Sequence, residues 1–279
     1  MAIALATEFK PYTDEIFKAE SKSALVTNSD FDFTGAHTVK VYKISTAALN
    51  NYARNVAADA ETIPVSRYGV LADLSATTEE MVLSKDRSFI FNIDKMDQDE
   101  TAQQVEAASA LARELREVVI PEIDTYVFGK MVTGAGTSAT AALTKANIYE
   151  KILDGSAVLD TNEIPDTDRV LLITPAAYAL LKQAAQFDNT DIGADMRKNG
   201  VVGMLDGMAV IKVPASRLPA NTGFIICHPA ATVRPVKLED YKVDADTVLS
   251  SGSVVCGRIV YDAFVLENKV KGIYVHKVA

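Results

Sequence analysis

One feature constrains this chain more than any other: an apolar pattern running from about Asp97 to Val132. Val105, Ala108, Ala112, Leu115, Val119, Ile123 and Val127 recur at steps of three and four. Such steps place side chains on one face of a 3.6-residue helix. At 1.5 Å per residue the helix would span roughly 50 Å, long enough to act as the backbone of an assembly. Asp97, Asp99 and Glu100 lie in its first turn, where acids suit the helix dipole. Pro121 interrupts the pattern and predicts a kink or break near Val118–Ile120. Glu106, Arg113, Glu114, Arg116 and Glu117 read as its solvent face, with ion pairs three and four residues apart.

The two sides of this helix differ in character. Residues 1–35 read as an arm, with Phe9, Tyr12, Ile16 and Phe17 as anchors and a polar, turn-rich stretch from Ser21 to Gly35. Thr38 to Ile44, TVKVYKI, alternates as a half-buried strand. Residues 46–86 carry few large apolar groups. Val65–Leu71 and Thr77–Leu83 are expected to pair as a projecting hairpin, because a structureless loop of that length does not suit a compact domain. Ser88 to Ile93 returns as a strand. Beyond the helix, Thr144–Leu159 reads as a helix, Arg169–Ile173 as a buried strand and Pro175 to about Ala185 as a helix capped by Thr174. Phe187–Gly203 is expected to be a polar loop. Met208–Val213, Phe224–Cys227, Val233–Val236, Val254–Leu266 and Gly272–Val278 read as strands.

Composition excludes several functions. The net charge is −9 and the basic residues are scattered, which does not suit a protein that grips duplex DNA through its phosphates. No run of about 18 apolar residues occurs, and the N-terminus lacks the basic start of a secretory signal, so a soluble cytosolic product is expected. His37, His228 and His276 are far apart, and Cys227 and Cys256 lack metal-ligand spacing. No metal or cofactor is therefore expected, and both thiols read as buried and free. Gly134-Ala-Gly-Thr-Ser imitates a phosphate loop, but it follows a helix and lacks the Lys-Ser/Thr ending, so helix termination is the better reading. The acid pairs Glu79–Glu80 and Glu239–Asp240 lack an apolar frame that would tune them for proton transfer. No G-x-S-x-G elbow is present.

The order of parts resembles the major capsid proteins of tailed double-stranded DNA bacteriophages, with the Hong Kong 97-like fold. The segments that carry the resemblance are QDETAQQVEAASALARELREVVIPEIDTYVFGKMV as spine, RVLLITPAAYALLKQA, GMAVIKVPASRLP and GFIICHPAATVRPVKLEDY as an axial domain, and VVCGRIVYDAFVLENKVKGIYVHKVA as closing strands. The resemblance implies an α+β fold with an N-terminal arm (1–36), a peripheral-domain strand (37–45), an extended β-hairpin loop (46–86), a peripheral domain with a long spine helix (87–142), an axial α/β domain (143–245) and closing strands (246–279). It implies a non-enzymatic shell protein that forms pentamers and hexamers around a double-stranded DNA genome. Further partners would be portal and decoration proteins and a separate scaffolding protein. The shell would belong to the virion and be assembled in the host cytoplasm.

Some members of the family cross-link through a lysine in the extended loop; none lies between Lys43 and Lys85 here, so that chemistry is not expected. The basic residues in that interval are Arg54 and Arg67, set among Glu79, Glu80 and other acids. Inter-subunit contacts are expected at Arg54, Arg67, Glu79 and Glu80, and at Asp97, Asp99 and Glu100 of the spine. An encapsulin-like nanocompartment of the same fold, holding cargo enzymes, is the alternative reading. An α/β enzyme acting on a small acidic or phosphorylated ligand would need convergent polar groups, which the sequence does not display.

Overall fold

The computed structural model describes residues 21–28, 38–52, 54, 67–68, 73, 75–96, 107–184, 201–244 and 251–279. The chain divides into two compact units: Ala36–Val82, and Met1–Gly35 together with Leu83–Ala279. The smaller unit holds β1 (Thr38–Ile44) and β2 (Ala76–Val82), paired antiparallel from Thr38 opposite Val82 to Ile44 opposite Ala76. This pairing differs from the expected one. Among the described residues the partner of the second strand is TVKVYKI; of residues 65–71 only Arg67 and Tyr68 are described, and they lie in a turn. Charge explains the choice: Lys40 stands directly opposite Glu80, and Lys43 diagonally from Glu79.

In the larger unit β3 (Lys85–Asp94) precedes the spine. The spine comprises α1 (Ala107–Glu114), a π-helical turn (Leu115–Val119) and α2 (Ile120–Thr133). Pro121 neither breaks nor ends it. Proline has no N–H to donate, and its ring crowds the carbonyl four residues back, that of Glu117. Widening the turn just before it moves that carbonyl away while the helix continues. The wider turn also shifts the buried face by one residue. Val119, Ile123 and Val127 point inward as expected, but Ala108 and Ala112 are exposed, and Ala107, Ala110 and Leu111 pack inward instead. Residues 97–106, including the expected acidic start and Glu106, lie outside the described residues.

The remaining elements are β4 (Thr137–Thr140), α3 (Ile148–Thr161), β5 (Val170–Ile173), α4 (Pro175–Gln183), β6 (Val201–Leu205), β7 (Met208–Lys212), β8 (Thr222–Cys227), β9 (Thr232–Val233), β10 (Val236–Asp244), β11 (Gly252–Tyr261), β12 (Phe264–Val265) and β13 (Ile273–Lys277). Six of them form a mixed sheet in the order β4-β13-β8-β5-β7-β6. Its central strands are apolar on both faces because both faces are covered. Val170, Leu172, Ile225, Cys227, Ile273 and Val275 meet Val127, Phe128 and Met131 of the spine. Leu171, Ile173, Phe224, Ile226 and Tyr274 meet Ile148, Ile152 and Leu159 of α3 and Leu181 of α4. Thr174 caps α4 by accepting a hydrogen bond from Ala177 N at 3.4 Å. A second sheet, β10-β11-β3, packs Val255 and Ile93 on Ala107, with Phe89, Phe91 and Leu111 beside them.

Sheet membership does not follow the sequence-based segments. β10, within the residues read as axial, pairs with β11, and β13, read as a closing strand of the peripheral domain, joins the six-stranded sheet. Val201–Gly203, read as loop, belongs to β6. Cys227 is fully buried in β8, and burial pushes its thiol up to about 12, whereas Cys256 is half-buried rather than buried. Both are free thiols.

His276 in β13 is fully buried, with its ring stacked on Phe224 at 4.8 Å. Its Nε2–H donates to Ala141 O at 3.2 Å, and Nδ1 has no partner among the described residues. Charging the ring would put a second proton on that unpartnered nitrogen. Burial lowers its pKa from the ordinary 6.5. A group whose folded pKa lies below its unfolded value contributes stability that is complete above the unfolded value and lost as pH falls towards the folded one. Thermal stability should therefore drop as pH is lowered below about 6.5, and His276→Gln should flatten that drop. A wild-type melting temperature unchanged between about pH 7 and pH 5 would exclude this role.

Candidate assembly interface

Alternation along β1 and β2 separates the ribbon's two faces. Val39, Val41 and Lys43 share one face with Met81 and Glu79, and these side chains are half-buried or buried. Thr38, Lys40, Tyr42 and Ile44 share the other with Val82, Glu80, Thr78 and Ala76. On that second face Tyr42 is 71% exposed and Ile44 70% exposed, with Val82 also open to solvent. Further along the unit Leu49 is fully exposed, and the exposed rings of Tyr52 and Tyr68 meet edge to face at 5.1 Å. A two-stranded ribbon has no second layer of its own to cover such a face. Tyr42, Ile44 and Val82 thus form an exposed apolar group on one face, the kind of feature found at interaction surfaces.

The sequence-predicted contact residues fall into three groups. Arg54 and Arg67 are exposed, and Arg67 adjoins Tyr68 in its turn. Glu80 and Glu79 have partners within the ribbon: Lys40 Nζ lies 2.5 Å from Glu80 Oε1, and Lys43 Nζ 3.7 Å from Glu79 Oε2. The hydrogen bond to Glu80 raises the pKa of Lys40 above its ordinary value. Asp97, Asp99 and Glu100 lie outside the described residues. On the spine's solvent side Arg113 and Glu117 pair at 3.3 Å, one helical turn apart as expected.

Sequence reasoning missed the residue that holds the described end of the arm. Asp124 is fully buried on the spine. It accepts hydrogen bonds from Ser21 Oγ at 2.8 Å, Lys22 N at 3.0 Å and Ser23 N at 3.2 Å, and an ion pair with Arg217 Nη1 at 2.8 Å completes its shell. Arg234 Nη1 donates to Ser23 Oγ at 3.2 Å, and Asn28 exchanges main-chain hydrogen bonds with Thr232 and Arg234. Val26 is thereby sealed into the core. A sequence signal for Asp124 existed: it sits beside Ile123 within the inward-facing stripe, where an uncompensated acid would be costly.

Among the described residues no group of three or more His, Cys, Asp or Glu can hold a metal ion, and no helix is long and apolar enough to cross a membrane. The larger unit is a helix-backed mixed sheet, and the smaller unit is a ribbon with exposed apolar side chains on one face. The chain belongs to the phage capsid protein family, whose model matches residues 77–267. It is thus a virion component and a non-enzymatic structural protein.

Solved structures show the Hong Kong 97-like fold along almost the full length. A chain of Mycobacterium phage Che8 matches with a TM-score of 0.70 at 17% identity, covering 98% of this chain and 97% of its own. The capsid of cyanophage P-SCSP1u matches with a TM-score of 0.74 at 14% identity, covering 99% and 93%. The mature capsid of bacteriophage PhiM1 matches with a TM-score of 0.73 at 13% identity, covering 99% and 92%. Comparison with curated proteins gives no match.

Proposed function

We propose that this chain is a major capsid protein that assembles with copies of itself, as pentamers and hexamers, into an icosahedral shell around a double-stranded DNA genome. The supporting observation is the face of the 36–82 ribbon that carries Tyr42, Ile44 and Val82 beside the Lys40–Glu80 pair, with Tyr42 and Ile44 more than two-thirds exposed. In this reading the ribbon, which joins the strand at 37–45 to most of the extended loop at 46–86, lies over a neighbouring subunit, where apolar contacts offset the entropy of ordering it. At least one of Arg54 and Arg67 pairs with an acid of a neighbour, for which Asp97, Asp99 and Glu100 at the start of the spine are the candidates. Residues 1–36 serve as the arm, and the three- and six-stranded sheets of the larger unit build the peripheral and axial regions. The net charge of −9 keeps the shell from gripping packaged DNA tightly. A separate scaffolding protein, a portal and decoration proteins complete the particle, which is assembled in the host cytoplasm.

The test is size-exclusion chromatography with negative-stain electron microscopy on the purified chain, alone and co-expressed with scaffold candidates. Closed shells or ring-shaped capsomers are expected. Ile44→Glu, which puts a charge on the exposed apolar face, should shift the population from shells to free subunits while leaving circular dichroism unchanged. Arg67→Glu should weaken assembly in the same direction and less severely. A monomer at every concentration and salt, with or without scaffold candidates, would overturn the shell reading. Normal assembly of both variants would remove the ribbon from the interface.

A further inference from the structure

The smaller unit ends at Val82, and two residues later the chain is caught by a buried carboxylate. Asp262 is 1% exposed and follows β11. Its Oδ2 accepts from Ser84 N at 2.7 Å and from Ser84 Oγ at 2.8 Å. Its Oδ1 accepts from Tyr126 OH at 2.8 Å and from Ala263 N at 2.7 Å. Four donors on two oxygens satisfy the carboxylate fully, which is what a buried charge requires. Tyr126 comes from the spine, and its ring stands edge-on to Tyr261 at 5.8 Å, with Lys85 Nζ 4.9 Å and Lys130 Nζ 5.4 Å from its centroid. Regular pairing of β3 with β11 begins at Lys85 opposite Tyr261, one residue on from Ser84.

We propose that the Asp262 carboxylate is a clasp: by holding Ser84 against the spine and the end of β11, it fixes the root from which the 36–82 ribbon departs and confines ribbon motion to residues before Ser84. The geometry carries the inference because Ser84 is the second residue of the larger unit after the ribbon ends, and the clasp holds it by a main-chain as well as a side-chain donor. A side chain alone would tether Ser84 loosely; the main-chain N–H makes the backbone itself the tethered object. Within the larger unit the clasp joins three parts distant in sequence: the segment before β3, the spine and the segment after β11. Nothing in it depends on what the ribbon touches.

Hydrogen–deuterium exchange on the full-length unassembled chain tests this. In Asp262→Asn one acceptor oxygen becomes a donor, so exchange of the amides at 83–86 should rise roughly tenfold to a hundredfold, the fold-change of losing a charge-assisted hydrogen bond. Ser84→Ala keeps the main-chain bond and should raise it by less. Tyr126→Phe leaves both Ser84–Asp262 bonds intact, removes only the 3.3 Å contact of its own hydroxyl with Ser84 Oγ, and should change protection there by less than either. Amides of β5 and β8 should keep wild-type rates in all three variants, because the change is local. Unchanged exchange at 83–86 in Asp262→Asn would overturn the proposal. A uniform rise in every region would also overturn it, since Asp262 would then serve global stability alone. Should Asp262→Asn fail to fold, the order of Ser84→Ala above Tyr126→Phe still decides, and the reverse order overturns the clasp.

Discussion

Asp124→Ala is expected to destabilise the unassembled subunit by about 3–5 kcal/mol, the typical loss when one partner of a buried ion pair is removed. For a domain of this size that corresponds to a fall of roughly 10 °C in melting temperature. The reason lies in what remains. Arg217, 5% exposed, loses its carboxylate, while Ser21 Oγ and the amides of Lys22 and Ser23 lose the acceptor they share. Removing the other partner should cost less. In Arg217→Met the carboxylate keeps three donors from the arm, so its charge stays hydrogen-bonded, and the methionine occupies part of the vacated space. The double variant should recover part of the Asp124→Ala loss, since no buried guanidinium then lacks this carboxylate. Denaturant titration of the four proteins gives the cycle. Exchange at Lys22–Val26 should rise in Asp124→Ala and much less in Arg217→Met. A larger loss in Arg217→Met than in Asp124→Ala would reject this account, because the arm's hydrogen bonds would then contribute little.

What was readable in the sequence follows from how locally each feature is determined. RVLLI, MAVIKV and FIIC are apolar runs buried on both faces, and each became a strand close to its expected position. The Thr174-Pro175 cap is a two-residue signal and fell where expected. Long-range choices were not readable. TVKVYKI reads as a strand but does not say that its partner begins at Ala76. β10 is polar at alternate positions because it lies at a sheet edge, and β4 is a four-residue edge strand of small residues. A helical period carried through the π-helical turn places Ala108 and Ala112 on the wrong face, because that turn breaks the arithmetic. One local signal was overlooked. Asp206-Gly207 between two apolar runs is a two-residue hairpin signature, and both residues have positive φ, 51° and 74°. That turn pairs β6 with β7, and Ser156 Oγ donates to Asp206 at 2.8 Å to fix it against α3. The lysines that pair with Glu79 and Glu80 inside the ribbon depend on a register that the sequence does not declare.

Gly134-Ala-Gly shows the same gap between a local signal and its cause, and it yields a prediction with a built-in control. Gly134 does end the spine, with its N–H on Lys130 O at 2.8 Å. Both glycines also permit close approach. A Cβ at Gly134 would stand 2.9 Å from Val265, and one at Gly136 would stand 2.5 Å from Val270 O, 2.7 Å from Val270 C and 2.9 Å from Lys271 N. The obstacles at Gly136 are all main chain, so no rotamer change relieves them. Gly136 N also donates to Val270 O at 2.8 Å, and β4 begins at the next residue, pairing Thr137 with Tyr274 of β13. Gly136→Ala must therefore push the turn before β13 away from β4, or give up that hydrogen bond. A loss of about 1–3 kcal/mol is expected, as for overpacking elsewhere. Gly129 supplies the opposite case. It lies inside α2, where a Cβ would meet nothing within 4 Å. Gly129→Ala should stabilise by about 0.5–1 kcal/mol through its higher helix propensity. Urea titrations of the two variants should therefore move the midpoint in opposite directions. If Gly136→Ala matched wild type, the contact with Val270 would be free to yield, and helix termination at Gly134 would be the whole role of the segment.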